Sequence, residues 1–320
     1  SAMTVKLAQY LLAIMVALTM NFLLPRLMPG TPLRFLVGED VALLTPESVR
    51  ELIAQYGLDR PLWEQYWEYL VQIAQGNLGY SYSENKPVLT ILLERLPWTL
   101  LLTGTALILS TVIGIIMGAL AAWRHGSALD AATLSVFVLF DSMPSFWVGM
   151  LAIAIFAVHL GWFPIFGAQT PWGNFTGWAY LLDILRHLAL PVLTLTLTTI
   201  SGTFLVMRST MIQVLHEDYI RTARSKGLSE ARVLYRHALR NSLLPVITLF
   251  MINLGFVVSG ATVVETVFSY PGLGRLLYEA VLQRDYPLIQ GVFLVITVSV
   301  LIANFFADLL YARIDPRVQR

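Results

Sequence analysis

An all-α integral membrane fold with six transmembrane helices is what this sequence predicts. Three observations carry it. The 320 residues are 57% hydrophobic and only 13% charged, with a mean hydropathy of +0.68, whereas soluble domains are about 25% charged. Stretches near the roughly twenty apolar residues that cross a bilayer core recur at 7–24, 96–123, 134–158, 188–207, 243–264 and 287–307. Lysine and arginine gather in the connections on one side. A net charge of +1 gives no bulk field for nucleic acid. The absence of cysteine excludes disulfides, thiolate metal sites and cysteine nucleophiles. Ser1-Ala2, ahead of Met3, are set aside as an added remnant.

The elements follow in order. Residues 1–24 are the N-terminus and first span, which leaves the membrane through Pro25-Arg26-Leu27 without a small-residue cleavage site and so is read as retained. Residues 25–95 form a connection on the outer side. In it, TPESVRELIAQYG reads as a short helix with Thr45 as N-cap, Pro46 in the first turn and Gly57 as the stop. DRPLWEQYWEYLVQIAQG reads as a second, with Leu62, Tyr66, Tyr69 and Leu70 on one face. Both are too short and too charged to span, which suits a lid or scoop on the outer rim. Residues 96–320 are a five-helix core with a loop at about 208–242. Trp98, Trp123, Trp162 and Tyr311 fall near span ends, where amphipathic rings sit well. After PGLG, RLLYEAVLQRD is too short to span and is expected at the outer surface. No repeat of 20–50 residues or inverted half-and-half symmetry stands out.

Orientation follows from charge in the short loops. One side carries Lys6, Arg124, seven basic residues in the 208–242 loop and three in the tail, and the other only Arg186, Arg275 and Arg284. Both termini are therefore expected in the cytoplasm.

Asp141 is the one charge inside a span, and it precedes Ser142-Met143-Pro144. A charge there costs about 2.5–3.5 kcal/mol on insertion scales and usually faces protein or water. Asp141, Ser142, Pro144 and Phe146 are candidates for a polar site on a translocation pathway favouring an amine-bearing solute, with a structural hydrogen bond as the alternative for Asp141. Glu265, at the outer end of span five, is a further candidate, either as a gate or as an interfacial charge. No lysine follows a glycine, so no phosphate-binding loop is present. No catalytic motif is found, and the five histidines have no metal-ligand spacing.

The densest basic stretch is EDYIRTARSKGLSEARVLYRHALRN, 217–241. A helix should run to Gly227, which can take a left-handed C′ conformation, and Ser229 can cap the next. A topogenic, lipid-facing loop needs the charge but not the break. A helix-turn-helix inserted into a cleft of another protein needs both.

With its continuation to Pro245, this stretch resembles the cytoplasmic coupling segment of binding-protein-dependent ABC importer permeases, in the dipeptide, oligopeptide and nickel branch. Arg221-Thr222-Ala223, Gly227 and Leu244-Pro245 stand where the family has Glu-Ala-Ala, Gly and apolar-Leu-Pro, with the leading Glu-Ala replaced and a longer spacing to the proline. RLMPGTP at 26–32, YGLDRPLWEQY at 56–66, SMPSFWVGM at 142–150, VVETVFSYPGLGRLLYEAVLQRDYPLIQG at 263–291 and IDPRV at 314–318 agree. The resemblance implies a type I ABC importer permease fold in a bacterial inner membrane, half of a pore for short peptides, with nickel, other metal chelates or opines as alternative cargo. It implies ATPase coupling through Asp218, Tyr219, Arg221, Ala223, Arg224, Lys226, Gly227, Leu228, Arg236 and His237. Gly227 would permit the turn, Ala223 close approach, and Arg221, Arg224 and Arg236 pairing with carboxylates. The implied partners are a second, homologous permease, two cytoplasmic ATP-binding subunits, an outside solute-binding protein and membrane lipid, with no nucleic acid. No cofactor or metal is expected on this chain, since ATP and magnesium would sit on the partners. The rival outside this class is an ion-coupled secondary transporter, and a non-transporting membrane scaffold is a second.

Overall fold

The computed structural model describes residues 2–27, 33, 44–55, 57–81, 83–259 and 261–314. Most of RLMPGTP and IDPRV, and Tyr56 of YGLDRPLWEQY, lie outside them.

Among the described residues, five helical runs are long and apolar enough to cross a membrane, and the count is six if the bent pair 128–141 and 145–159 crosses as one broken span. The first is α1 (Ala2–Leu27). Two short helices follow, α2 (Pro46–Gln55) and α3 (Leu62–Ala74). Thr45 Oγ1 accepts the Ser48 N–H at 3.3 Å, and Gly57 stops the segment at φ +64°. α3 lies on α1 through Tyr66 and Tyr69, whose rings sit 5.1 and 5.5 Å from that of Phe22. Leu62, expected on that face, is instead exposed.

A two-stranded hairpin, β1 (Tyr80–Ser81) with β2 (Lys86–Pro87), leads into α4 (Val88–Trp123). The helix starts at Val88 rather than 96 because hydropathy marks where the membrane begins. The exposed Glu94 and half-buried Arg95 leave the backbone helical.

The expected continuous helix over 134–158 is corrected. α5 (Ala128–Asp141) and α6 (Ser145–Ala152, continuing as a π-helical stretch at Ile153–His159) meet at 102° across 142–144. Pro144 lacks an N–H and disfavours a helical conformation at Met143, so the helix ends where its backbone bonds cannot continue.

α7 (Trp178–Leu215) is a single 38-residue helix with Pro191 inside it. Then come α8 (Asp218–Ser225), α9 (Glu230–Arg232), a π-helical stretch at Val233–Ala238 and α10 (Leu239–Phe256). The helix expected to run through to Gly227 breaks at 216–217, so α8 is separate from α7. The fifth crossing ends at Ser259, and α11 (Thr262–Val267) and α12 (Leu273–Gln283) form a separate helical hairpin before α13 (Tyr286–Ile314).

α4 and α7 pack most closely. A Cβ on Gly118 would stand 2.8 Å from the Phe204 carbonyl oxygen, and one on Gly114 would stand 2.9 Å from Thr203 Cβ. Small residues let two backbones approach where lipid offers no hydrophobic drive for association. Three apolar clusters form the core: one around Val88, Leu276 and Val292, where α4 meets α12 and α13, one around Leu102, Leu190 and Phe268, and one around Met207, Met211 and Ile220. The last lies at the end that carries the basic loop.

Candidate functional site

The basic loop is helix, turn, helix. Gly227 makes the turn at φ +74°, and an added Cβ would meet nothing within 4 Å. The glycine therefore serves backbone conformation. Ser229 stands at the N-cap position of α9 with extended backbone, yet its hydroxyl makes no capping bond.

The loop has two faces. Ile220, Ala223 and Val233 are buried against Met207, Met211 and Ala122, and Leu228 packs against the same cluster. Ala223, expected to allow close approach to a partner, is buried within this chain. Its small side chain fits α8 onto the chain's own core, and Leu228 likewise turns inward. Asp218, Tyr219, Arg221, Arg224, Lys226 and Arg236 are exposed, and His237 is half-buried. Some of that charge is already engaged: Arg221 lies 3.5 Å from Asp218, and Arg224 Nε donates to Glu230 Oε1 at 3.1 Å. Tyr219 Oη accepts from Asn241 Nδ2 at 2.8 Å, fastening α8 to α10.

Sequence reasoning missed the tie beneath this loop. Asp130, in the first turn of α5, is buried. Arg208, near the end of α7, donates to both its oxygens, Nε at 2.6 Å and Nη2 at 2.9 Å. The Gly126 N–H donates to Asp130 Oδ2 at 3.0 Å, and His125 Nδ1 lies 2.9 Å from that oxygen. The Arg224 guanidinium stands 5.9 Å from the centre of the Trp123 ring. The α4–α5 turn, the end of α7 and the loop thus form one block. The sequence signals only the helix start: Ser127 and Asp130 have capping-box spacing, and the Ser127 hydroxyl accepts the Asp130 N–H.

The second candidate region is the break at 142–144. Asp141 ends α5 and accepts from Ser201 Oγ of α7 at 2.5 Å. Asp141, Ser142, Pro144 and Phe146 are all exposed in this single chain, and Phe146 is flanked by exposed Trp147 and Met150. The bend therefore presents a carboxylate and a proline-interrupted backbone on an otherwise apolar face.

Glu265, expected either as a gate or as an interfacial charge, is set apart from that group. Its side chain is fully buried. It accepts the Arg275 N–H at 2.8 Å, Thr99 Oγ1 at 3.1 Å and the Ala261 N–H at 3.4 Å. Thr99 Oγ1 in turn accepts the Leu273 N–H at 2.7 Å. A carboxylate from α11 thus caps the N-terminus of α12, satisfying donors that have no partner within the helix. Gly272 is required because a Cβ there would collide with the Glu265 carboxylate, which accounts for the first glycine after Pro271. Burial pushes the Glu265 carboxyl above its ordinary range, and the hydrogen bonds from Arg275, Ala261 and Thr99 oppose that shift. Burial, then the neighbouring Glu265 charge, also push the Tyr270 hydroxyl up. Among the described residues no cluster of three His, Asp or Glu side chains could hold a metal.

Residues 110–320 match the family described as binding-protein-dependent transport system inner membrane component, and residues 3–103 match the N-terminal family of such membrane components. The chain is 38% identical over 314 residues to a di/tripeptide transport system permease protein of Pseudomonas aeruginosa, covering 94% of this chain and 93% of the relative. It is 42% identical over 310 residues to a putative peptide permease of Brucella suis, covering 96% of each. It is 38% identical over 301 residues to an oligopeptide transport system permease protein of Bacillus subtilis, covering 94% of this chain and 93% of the relative. With family matches over most of its length and relatives of this identity along nearly all of it, the chain belongs to the family of inner-membrane permease components of binding-protein-dependent ABC transport systems.

Proposed function

We propose that this chain is one half of the translocation pore of an ATP-driven importer of short peptides, coupled to separate cytoplasmic ATPases through residues 217–241. The observation that carries the coupling is the two-faced loop: an apolar side seated on α7 and an exposed side bearing Asp218, Tyr219, Arg221, Arg224, Lys226 and Arg236. A segment fixed on one side and charged on the other suits a cleft lined with carboxylates. The peptide cargo rests on what the relatives' names say they transport.

The proposed movement starts at the ATPases. Their closure on ATP and magnesium displaces α8, and the Ile220–Met211 packing passes the displacement to α7. α7 is about 57 Å long at 1.5 Å per residue, so one rod joins the loop to Ser201 and Asp141. There the exposed carboxylate favours a cationic or amine-bearing solute. The loop side, with both termini, is cytoplasmic because the basic residues gather there. The partners are a homologous permease, two ATPase subunits, an outside solute-binding protein and membrane lipid.

Gentle purification with the products of neighbouring genes, followed by mass spectrometry, tests this. A second multi-span permease and ATPases with phosphate-binding loops should come along, and reconstituted vesicles should take up peptides only with ATP. Uptake that follows an ion gradient without ATP would overturn it.

A further inference from the structure

A cavity of about 550 Å³ lies between the end of α1 away from the basic loop, α3 and the start of α13. None of Asp141, Ser142, Pro144 or Phe146 lines it, so it is separate from the break described above. Its walls are mixed: Phe22, Ile73 and Leu294 are apolar, and Asn21, Arg26 and Gln72 are polar.

Two groups in the wall lack the partner their chemistry calls for. Arg26 is half-buried, and its guanidinium carbon stacks 3.6 Å from the centre of the Phe22 ring. Its Nη1 donates to the Phe22 carbonyl at 2.8 Å and its Nη2 to Gln65 Oε1 at 2.7 Å. Both acceptors are neutral, and among the described residues no carboxylate pairs with it. Glu68, on the same wall, is joined to Arg60 instead, at 3.4 Å. Asn21 is the second group. Its Nδ2 donates to Tyr69 Oη at 3.0 Å and to the Gln290 carbonyl at 3.1 Å, while its Oδ1 is buried without a donor. Asn21 lines the cavity, so a donor seated there is the group that this oxygen lacks.

Position narrows the ligand. Along the apolar stretch Leu7–Leu24, Tyr10, Thr19, Asn21 and Phe22 face α3 and α13, while Leu7, Leu11, Leu12, Val16 and Met20 are exposed, so α1 keeps one apolar face open to lipid. The cavity begins where that stretch ends, with Arg26 two residues beyond it. That is the level of lipid phosphates. A cation wanting an anion, beside an acceptor wanting a donor, at the edge of an acyl layer, matches a headgroup with both a phosphate and an ammonium.

We propose that this cavity holds one phosphatidylethanolamine, its phosphate on the Arg26 guanidinium, its ammonium toward Asn21 Oδ1 and Glu68, and its acyl chains along the exposed face of α1. The site would fasten the α3 segment to α1 through the bilayer itself.

The test is native mass spectrometry of the full complex in mild detergent after delipidation and back-titration with defined lipids. One phosphatidylethanolamine should be retained per chain, in preference to phosphatidylglycerol. Arg26→Gln should lower that retention about tenfold, the scale of a lost charge-assisted contact. Gln72→Trp, at an exposed position on α3, should fill the cavity and do the same in an intact complex, and Glu51→Gln on α2 should change nothing. Equal retention in wild type and Gln72→Trp would overturn the proposal. So would equal retention of phosphatidylglycerol, or displacement of the lipid by soluble phosphoethanolamine or by a dipeptide, which would make the cavity a site for soluble zwitterions. The readout is bound lipid, so it stands whether or not the chain transports peptides.

Discussion

Arg208 grips Asp130 with two nitrogens, at 2.6 and 2.9 Å, and so ties the end of α7 to the first turn of α5 across 78 positions of sequence. The carboxylate is buried and the guanidinium is mostly covered. Two charges held in a bidentate fork, with further donors on the carboxylate, form a rigid joint directly beneath the basic loop.

Breaking that joint from one side leaves the other charge uncompensated. Asp130→Asn should destabilise the chain by about 3 kcal/mol. Arg208→Lys should be nearly as damaging, because an ammonium cannot reproduce the fork. Thermal unfolding of the purified complex in detergent measures both. A melting point unchanged in Asp130→Asn would show that the pair is not structural.

Gly227 tests the turn. At φ +74° a β-branched residue is strained by about 1–3 kcal/mol, although there is open space for the side chain. Gly227→Val should abolish ATP-coupled uptake while leaving membrane insertion intact. Gly227→Asn, which tolerates left-handed backbone, should keep most of it. If valine and asparagine behave alike, conformation is not what the position requires. Wild-type coupling in Gly227→Val would remove the loop from the coupling role.

Glu265 gives a pH signature with a definite sign. Its carboxyl titrates above the unfolded value because burial disfavours the charged form. The folded state therefore holds the proton where the unfolded state has released it, and stability falls as pH rises from near the ordinary value of 4.5 through the folded one. Melting points across that window should decline more steeply in wild type than in Glu265→Gln. Parallel profiles would refute the assignment. Gly272→Ala should destabilise by about 1–3 kcal/mol by overpacking, through a collision with the same carboxylate.

The break at 142–144 makes a transport prediction. Asp141→Asn should slow uptake of cationic peptides more than of neutral ones in reconstituted vesicles, with assembly unchanged. Ser201→Ala, which removes the hydroxyl that donates to Asp141 at 2.5 Å, should have a smaller effect of the same sign. Equal rates for all peptides would leave Asp141 with the structural role alone.

What the sequence by itself determined is what depends on local pattern. The apolar runs imply the crossings, because a helix needs about twenty apolar residues to cross a bilayer core, and the charge asymmetry is the ground for the orientation proposed above. Thr45, Pro46 and Gly57 mark a short helix through capping and turn chemistry. Gly227 marks a break through backbone chemistry, whereas Pro144, read inside one apolar run, does not by itself announce the 102° bend. The tertiary structure alone decided which faces turn inward and which distant groups meet. Ala223 and Leu228 look like contact residues in the loop sequence, but they pack on the chain's own core. Glu265 reads in the sequence as a gate or an interfacial charge, and only the packing shows that it caps a helix eight positions further on. Asp130 and Arg208 carry no local sign of each other. A buried polar group must find its partner wherever the packing of the helices puts one, and sequence spacing does not encode that meeting.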